Sequence, residues 1–110
     1  MRYSVNKQHF TSEAEARVEI EAAGFHAMLI DVPAEHNELH FHDFDTQFYI
    51  LAGGLKLVVG DTGATYDVRP GDRVVASAGW VHQEVHDGFV AVFGFSVDPA
   101  TLSMPINKPA

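Results

Sequence analysis

The sequence contains no cysteine, no long apolar run and few basic residues, and each absence narrows the possible functions. Without cysteine there are no disulfides and no thiolate metal ligands, which suits a reducing compartment. No segment approaches the roughly 20 apolar residues that span a bilayer, and residues 1–10 lack the apolar run of a secretion signal. We therefore expect a cytoplasmic protein without a membrane partner.

The charge balance argues against a nucleic-acid partner. Seven Lys and Arg residues stand against fifteen Asp and Glu residues, which gives a formal net charge of −8. Such a chain repels phosphate backbones. At 110 residues, of which 46% are hydrophobic, the chain is long enough for one domain with a single core and one ligand-sized cavity.

The first 24 residues predict an extended or irregular arm followed by a short helix. Ser12 and Glu15 form a capping box, and Gly24 is a typical helix stop. The alternation of polar and apolar residues over 17–21 would also fit a strand, but we favour the helix.

Residues 25–98 predict an all-β sandwich or barrel, because short apolar segments alternate with turn signals. Pro33 stops the first segment, Pro70-Gly71 predicts a type II turn, and residues 86–88 predict a turn before the last strand. Residues 99–110 contain three prolines and are expected to form an irregular tail on the surface or on a neighbouring subunit. The predicted strands are 25–32, 39–42, 47–51, 55–59, 65–69, 73–76, 81–85 and 89–95.

His40 and His42 are the first candidate metal ligands. Two residues apart on a strand, they point to the same face about 6.5 Å from each other and can converge on one ion. Such a pair alone is more often a half-exposed strand face without a ligand. A glycine pair at 53–54, a Pro-Gly-Asp turn and a further histidine, His82, follow in order and favour a metal site.

Together these residues resemble the two sequence motifs of the cupin family. His40-x-His42-x(4)-Gln47-x(6)-Gly54 resembles the first motif, and Gly71-x(5)-Ser77-x-Gly79-x(2)-His82 resembles the second. The resemblance implies a double-stranded β-helix, or jelly-roll barrel, over residues 25–98. It also implies three imidazole ligands, His40, His42 and His82, with Gln47 at the position where most cupins have glutamate.

Gln47 as a ligand would change the charge of the site. Three imidazoles and an amide leave the full +2 charge on the ion, which favours an anionic, oxygen-rich ligand. On this hypothesis, Gln47→Glu should tighten metal binding. Imidazole and oxygen ligands suit a divalent transition metal, namely Fe, Mn, Ni, Co, Cu or Zn.

Three residues near the ligand positions are candidates for catalysis. Glu84 and His86 share a strand face with His82 if the segment is extended, and His86 is the first choice for proton transfer. His86 would otherwise be a surface residue beside a turn, and the third candidate, Tyr49, would otherwise pack at the cavity wall. The remaining histidines fit neither motif and are interpreted as structural or exposed; they are His9, His26 and His36.

Several functions remain open from sequence alone. The ligand set is similar to that of small cupins that process unsaturated uronates, which implies metal-assisted enolisation or isomerisation of a small metabolite. An Fe(II)-dependent dioxygenase, a ligand-binding module without turnover, and a plain all-β core without metal are the alternatives. Exposed edge strands also predict a homodimer.

Overall fold

Helix α1 (Glu13–Ala22) begins at the predicted N-cap, Ser12, but the second bond of the capping box is absent, because the Glu15 carboxylate accepts from the Thr11 hydroxyl. The hydroxyl of Ser12 accepts a hydrogen bond from the backbone N–H of Glu15 at 3.2 Å. The chain leaves the helix through Gly24, whose φ of 81° is accessible to glycine at little cost. The prediction of a helix is therefore confirmed. It packs on the barrel through Ala16 and Ile20, which are fully buried.

The computed structural model describes residues 2–102 and 106–110, and among them every strand pair is antiparallel. The longest strand pairs with four others, and all nine strands belong to one continuous sheet. The architecture is the predicted all-β jelly roll. The strands are β1 (Tyr3–Asn6), β2 (His26–His36), β3 (His40–Phe41), β4 (Thr46–Gly53), β5 (Leu55–Val59), β6 (Thr65–Val68), β7 (Arg73–Ala76), β8 (His82–Phe95) and β9 (Lys108–Pro109).

Strands β2 and β8 continue through two predicted breaks, so the predictions of a strand end at Pro33 and a turn at 86–88 are wrong. Pro33 pairs with Gly88, whose φ is 112°. Along each chain segment the cavity-lining side chains change from even to odd positions here: on β8, His86 lines the cavity before this point and Phe89 lines it after. Pro33 and Gly88 therefore mark a bend that β2 and β8 share, and the two strands stay paired through it.

The N-terminal arm is extended, as predicted, and β1 pairs with β7. It is fixed at the Pro-Gly turn by Asp72, which is buried and accepts hydrogen bonds from Lys7 Nζ at 2.7 Å and from the Gln8 amide at 2.9 Å. The type II turn is also confirmed: Gly71 has a φ of 96°, and Asp72 N–H donates to the Arg69 carbonyl at 3.0 Å.

The tail is more regular than predicted where it is described. Residues Pro99–Thr101 form a 3₁₀ turn, and β9 pairs with β3. Residues 103–105, which belong to the predicted irregular tail, lie outside the described residues. Among the residues that the structure describes, no helix has the length and apolar character needed to cross a membrane.

Candidate metal centre

The structure brings the three predicted imidazole ligands together. The ring centroids of His40 and His82 are 4.5 Å apart, and each lies 5.2 Å from the centroid of His42. His40 pairs directly with His82 between β3 and β8. The Gly79 amide also donates to the His42 carbonyl at 2.8 Å, so the two motif segments are hydrogen-bonded to each other.

Each imidazole is oriented by a backbone carbonyl that accepts a hydrogen bond from its Nδ1. The Nδ1 of His40 lies 2.7 Å from the Glu38 carbonyl, and that of His82 lies 2.9 Å from the Trp80 carbonyl. The Nδ1 of His42 lies 3.1 Å from the Ile106 carbonyl. A carbonyl can only accept, so Nδ1 carries a proton in all three rings, and in each neutral ring the lone pair is on Nε2. This is the tautomer in which Nε2 can bind a metal.

Glu84 completes the cluster. Its Oε1 lies 3.2 Å from His82 Nε2, and its Oε2 lies 3.4 Å from His40 Nε2. One ligand atom from each of the four residues lies within 4.8 Å of the others. We call His40, His42, His82 and Glu84 the inner cluster.

The inner cluster fits a cation because its lone pairs face one another. Within residues 2–102 and 106–110, His40 Nε2 is the buried side-chain polar atom that has no hydrogen-bond partner. The His40 side chain is only 5% exposed, so water does not satisfy this nitrogen freely. A deprotonated nitrogen and a carboxylate oxygen 3.4 Å apart are two acceptors, and a shared cation satisfies both.

The electrostatics of the inner cluster favour the ligand forms of its residues. Burial alone would raise the pKa of Glu84, but contacts with His82, His40 and Asn37 outweigh burial and hold that pKa at about 2. Burial lowers the pKa of His42, which favours its neutral form. An ionised carboxylate and a neutral imidazole are the metal-binding states of these groups.

Gln47, predicted as the fourth ligand, lies on the opposite face of β4. Its neighbours Thr46 and Phe48 line the cavity, and successive side chains of a strand point to opposite faces. The Oε1 of Gln47 instead lies 3.5 Å from the Tyr49 hydroxyl, which is turned toward helix α1. The oxygen donor that lies beside the three imidazoles is that of Glu84 on β8, and not that of the predicted Gln47.

The three catalytic candidates also lie on different faces: Tyr49 faces away from the cavity, whereas Glu84 and His86 face it. Tyr49 is buried against α1, and its hydroxyl donates to Glu19 at 2.9 Å, so it does not reach the cavity. Glu84 and His86 both line the cavity, as expected from their shared face with His82. The Nδ1 of His86 accepts a hydrogen bond from the Gly88 amide at 3.0 Å, so the ring proton is on Nε2.

Beside the inner cluster lies a cavity of about 280 Å³ with mainly apolar walls. Five phenylalanines line it, and no lysine or arginine does so among the described residues. Sequence reasoning did not identify two of its polar residues, Glu35 and Asn37, because their partners lie about 50 positions away in the chain. The phenylalanines are Phe44, Phe48, Phe89, Phe93 and Phe95.

Comparison with known proteins gives matches by structure only. No family model matches the sequence, and no curated protein matches it. A DUF861 family protein from Thermotoga maritima superposes with a TM-score of 0.57 at 17% identity, over 84% of this chain and 98% of that one. The polyketide cyclase RemF from Streptomyces resistomycificus superposes with a TM-score of 0.55 at 23% identity, over 94% of this chain and 74% of that one.

Both structures have the cupin fold, and at these identities they establish the fold alone. The jelly-roll topology and the two motif segments that meet at the inner cluster agree with them. The chain is a cupin-fold domain.

Proposed function

We propose that the protein binds one divalent transition metal through His40, His42, His82 and Glu84. The supporting observation is the buried, partnerless Nε2 of His40, which faces the Glu84 carboxylate. Three imidazoles and one carboxylate suit Fe, Mn, Ni, Co, Cu or Zn. Four protein ligands leave two positions of an octahedral ion for a small molecule.

The cavity favours a compact and largely apolar small molecule that carries two neighbouring oxygen donors. The phenylalanine-rich wall and the absence of lysine and arginine from the described lining disfavour a strongly anionic ligand. Glu84 also brings a negative charge that Gln47 would not have brought, so the site attracts anions less than the sequence predicts. A cavity of about 280 Å³ suits a molecule of one or two rings.

We propose that the reaction at this site is the enolisation or isomerisation of a substrate that contains a carbonyl group. A bound metal would polarise the carbonyl oxygen as a Lewis acid. His86 presents an Nε2–H, so it donates a hydrogen bond to a substrate oxygen and does not act as a base from that nitrogen. Glu35 pairs with His86 across the β2–β8 ladder and lines the same cavity, so its carboxylate is the proton acceptor in this proposal.

Metal analysis tests the binding step. We expect near-stoichiometric metal in the purified protein by inductively coupled plasma mass spectrometry. The metal should be lost in His42→Ala and kept in His36→Ala, whose side chain is exposed. Equal metal content in both variants would refute the proposed ligands.

Deuterium exchange tests the reaction. In D₂O, cyclic 1,2- and 1,3-diketones should exchange the protons next to their carbonyls faster with the metal-loaded protein, and Glu35→Gln should slow this exchange. Substrate-dependent oxygen consumption would instead support the dioxygenase. Saturable diketone binding with neither activity would support a ligand-binding module.

We also propose a homodimer that forms at the free edge of β2. Among the described strands β2 pairs with β8 alone, and its Met28 and Leu29 are 42% and 46% exposed. A long edge strand with apolar side chains on both faces readily pairs with another chain. Small-angle scattering should give a dimer mass that falls to the monomer mass in Leu29→Lys. A monomeric wild-type protein would contradict this proposal.

A further inference from the structure

We infer that Asn37 is a positioning residue that fixes the Glu84 carboxylate for the metal. The inference rests on the proposed metal site. Asn37 lies in the loop between β2 and β3, just before the ligand His40. Within residues 2–102 and 106–110, the hydrogen bonds of Asn37 go to Glu84 and Gln83 and not to an imidazole, so its role would be indirect.

Both polar groups of the Asn37 side chain are directed to Glu84. Its Nδ2 donates to Glu84 Oε2 at 2.6 Å, and its Oδ1 accepts from the Glu84 backbone N–H at 2.8 Å. The main chain adds a third bond, because the Asn37 amide donates to the Glu84 carbonyl at 3.3 Å. One residue therefore holds the backbone and the carboxylate of Glu84 at once.

The partners also fix which way the amide of Asn37 points. The Glu84 N–H is a donor and needs the oxygen, and the ionised carboxylate is an acceptor and needs the nitrogen. A flipped amide would place donor against donor and acceptor against acceptor. Aspartate at this position would lack the donor, and glutamine would be longer by one methylene, so asparagine matches Glu84 in both chemistry and reach.

The hydrogen bond to Oε2 has a consequence for coordination. The Nδ2 of Asn37 engages Oε2, whereas Oε1 accepts no hydrogen bond from Asn37 and lies 3.2 Å from His82 Nε2. The bond to Oε2 therefore fixes the rotation of the carboxylate, and with it the positions of Oε2 beside His40 Nε2 and of Oε1 beside His82 Nε2. Without Asn37 the carboxylate gains rotational freedom, and groups that orient metal ligands typically change metal affinity by about 10- to 100-fold.

The test compares Asn37→Ala with Gln83→Ala by Co(II) titration of the metal-free full chain. Gln83 Nε2 donates to the Asn37 carbonyl at 2.6 Å, so the control variant loosens the same loop and leaves the Glu84 carboxylate contact in place. Asn37→Ala should weaken Co(II) binding about 10- to 100-fold and alter the visible Co(II) absorption spectrum. Gln83→Ala should change neither, although both variants should lower the unfolding temperature of the metal-free protein.

Repeating the titration in a Glu84→Gln background identifies the carboxylate as the target. There Asn37→Ala should change Co(II) affinity little, because the carboxylate that it positions is gone. An equal loss in both backgrounds, or no loss in either, would overturn the inference. If Asn37→Ala does not fold, Asn37→Ser provides the same comparison.

The outcome also separates this inference from the proposed metal site. A wild-type protein that does not bind Co(II) would refute the metal site and the role of Asn37 together. A wild-type protein that binds Co(II) in a His42-dependent way, with Asn37→Ala binding equally well, would refute the role of Asn37 alone.

Discussion

Two polar clusters lie on opposite faces of β4, and they differ in whether their hydrogen-bonding groups are satisfied. The inner cluster faces the cavity. The outer cluster, formed by His9, Glu19, Tyr49 and Arg73, lies under helix α1. There Glu19 Oε1 lies 2.7 Å from His9 Nε2 and accepts from the Tyr49 hydroxyl at 2.9 Å, with Arg73 at 3.7 Å.

The difference shows how a ligand site can be told from a structural cluster of similar composition. Both contain histidine and glutamate, and in both the pKa of the glutamate is lowered by its neighbours despite burial. The outer cluster matches donors to the Glu19 acceptor, whereas the inner cluster leaves His40 Nε2 without a donor. The unsatisfied buried acceptor, and not the number of titratable residues, distinguishes the cluster that could hold a cation.

The largest expected difference between the clusters is metal-dependent stability. Co(II) at about 100 times its dissociation constant should stabilise the fold by about 2.7 kcal/mol, which raises the unfolding temperature by about 10 °C for a domain of this size. His42→Ala should abolish this increase, and His9→Ala from the outer cluster should retain it. Thermal unfolding with and without Co(II) measures both, and an increase that survives His42→Ala would contradict the assignment.

Next in size is the contribution of Asp72, which fixes the N-terminal arm beside the outer cluster. Asp72→Ala should cost about 2 kcal/mol of unfolding free energy, because it leaves two backbone N–H groups without their acceptor and removes the carboxylate partner of Lys7, which keeps only the Asp67 carbonyl. Urea unfolding of the metal-free protein measures this cost. An unchanged unfolding free energy would show that the arm is held by other contacts.

The Asp72 contribution should also depend on pH. Burial raises the pKa of Asp72, but the hydrogen bonds from Lys7, Gln8 and Arg69 outweigh burial and lower it. A lowered folded-state pKa means that the stabilisation is complete above the unfolded value of about 3.9 and is lost as pH falls through the folded value. The stability difference between wild type and Asp72→Ala should therefore shrink only in strong acid.

Tyr49→Phe should have the smallest effect. It removes the hydroxyl that donates to Glu19 and should cost about 1 kcal/mol of unfolding free energy, since Glu19 keeps its contact with His9. Co(II) affinity should stay unchanged, because the hydroxyl lies on the outer face. Weaker Co(II) binding in this variant would show that the two faces of β4 are coupled.

The features that could be predicted from short stretches of sequence are those that depend on residues close together in the chain. The N-cap at Ser12 and the Pro70-Gly71 turn each depend on residues within a few positions, and both are present. The shared face of His82, Glu84 and His86 is local in the same way and is also present. The cupin motifs added the long-range meeting of the two histidine segments. These signals were sufficient for the fold and for three of the four inner-cluster residues.

The orientation of Gln47 could not be predicted in this way. Strand β4 is apolar on both faces, because the cavity covers one and helix α1 covers the other, so its hydrophobic pattern does not reveal which side chains point inward. The turn at 43–45 also interrupts the strand alternation that starts at His40 and His42. The role of Asn37 depends on a contact 47 positions away, which no local rule reaches.

The most direct test of the account is a Co(II) titration of Glu84→Gln beside Gln47→Glu. We expect Glu84→Gln to bind Co(II) more weakly than wild type, because the inner cluster loses its one carboxylate, and Gln47→Glu to bind as wild type does, because its side chain lies on the outer face. Tighter binding by Gln47→Glu, together with unchanged binding by Glu84→Gln, would contradict the account and return Gln47 to the metal.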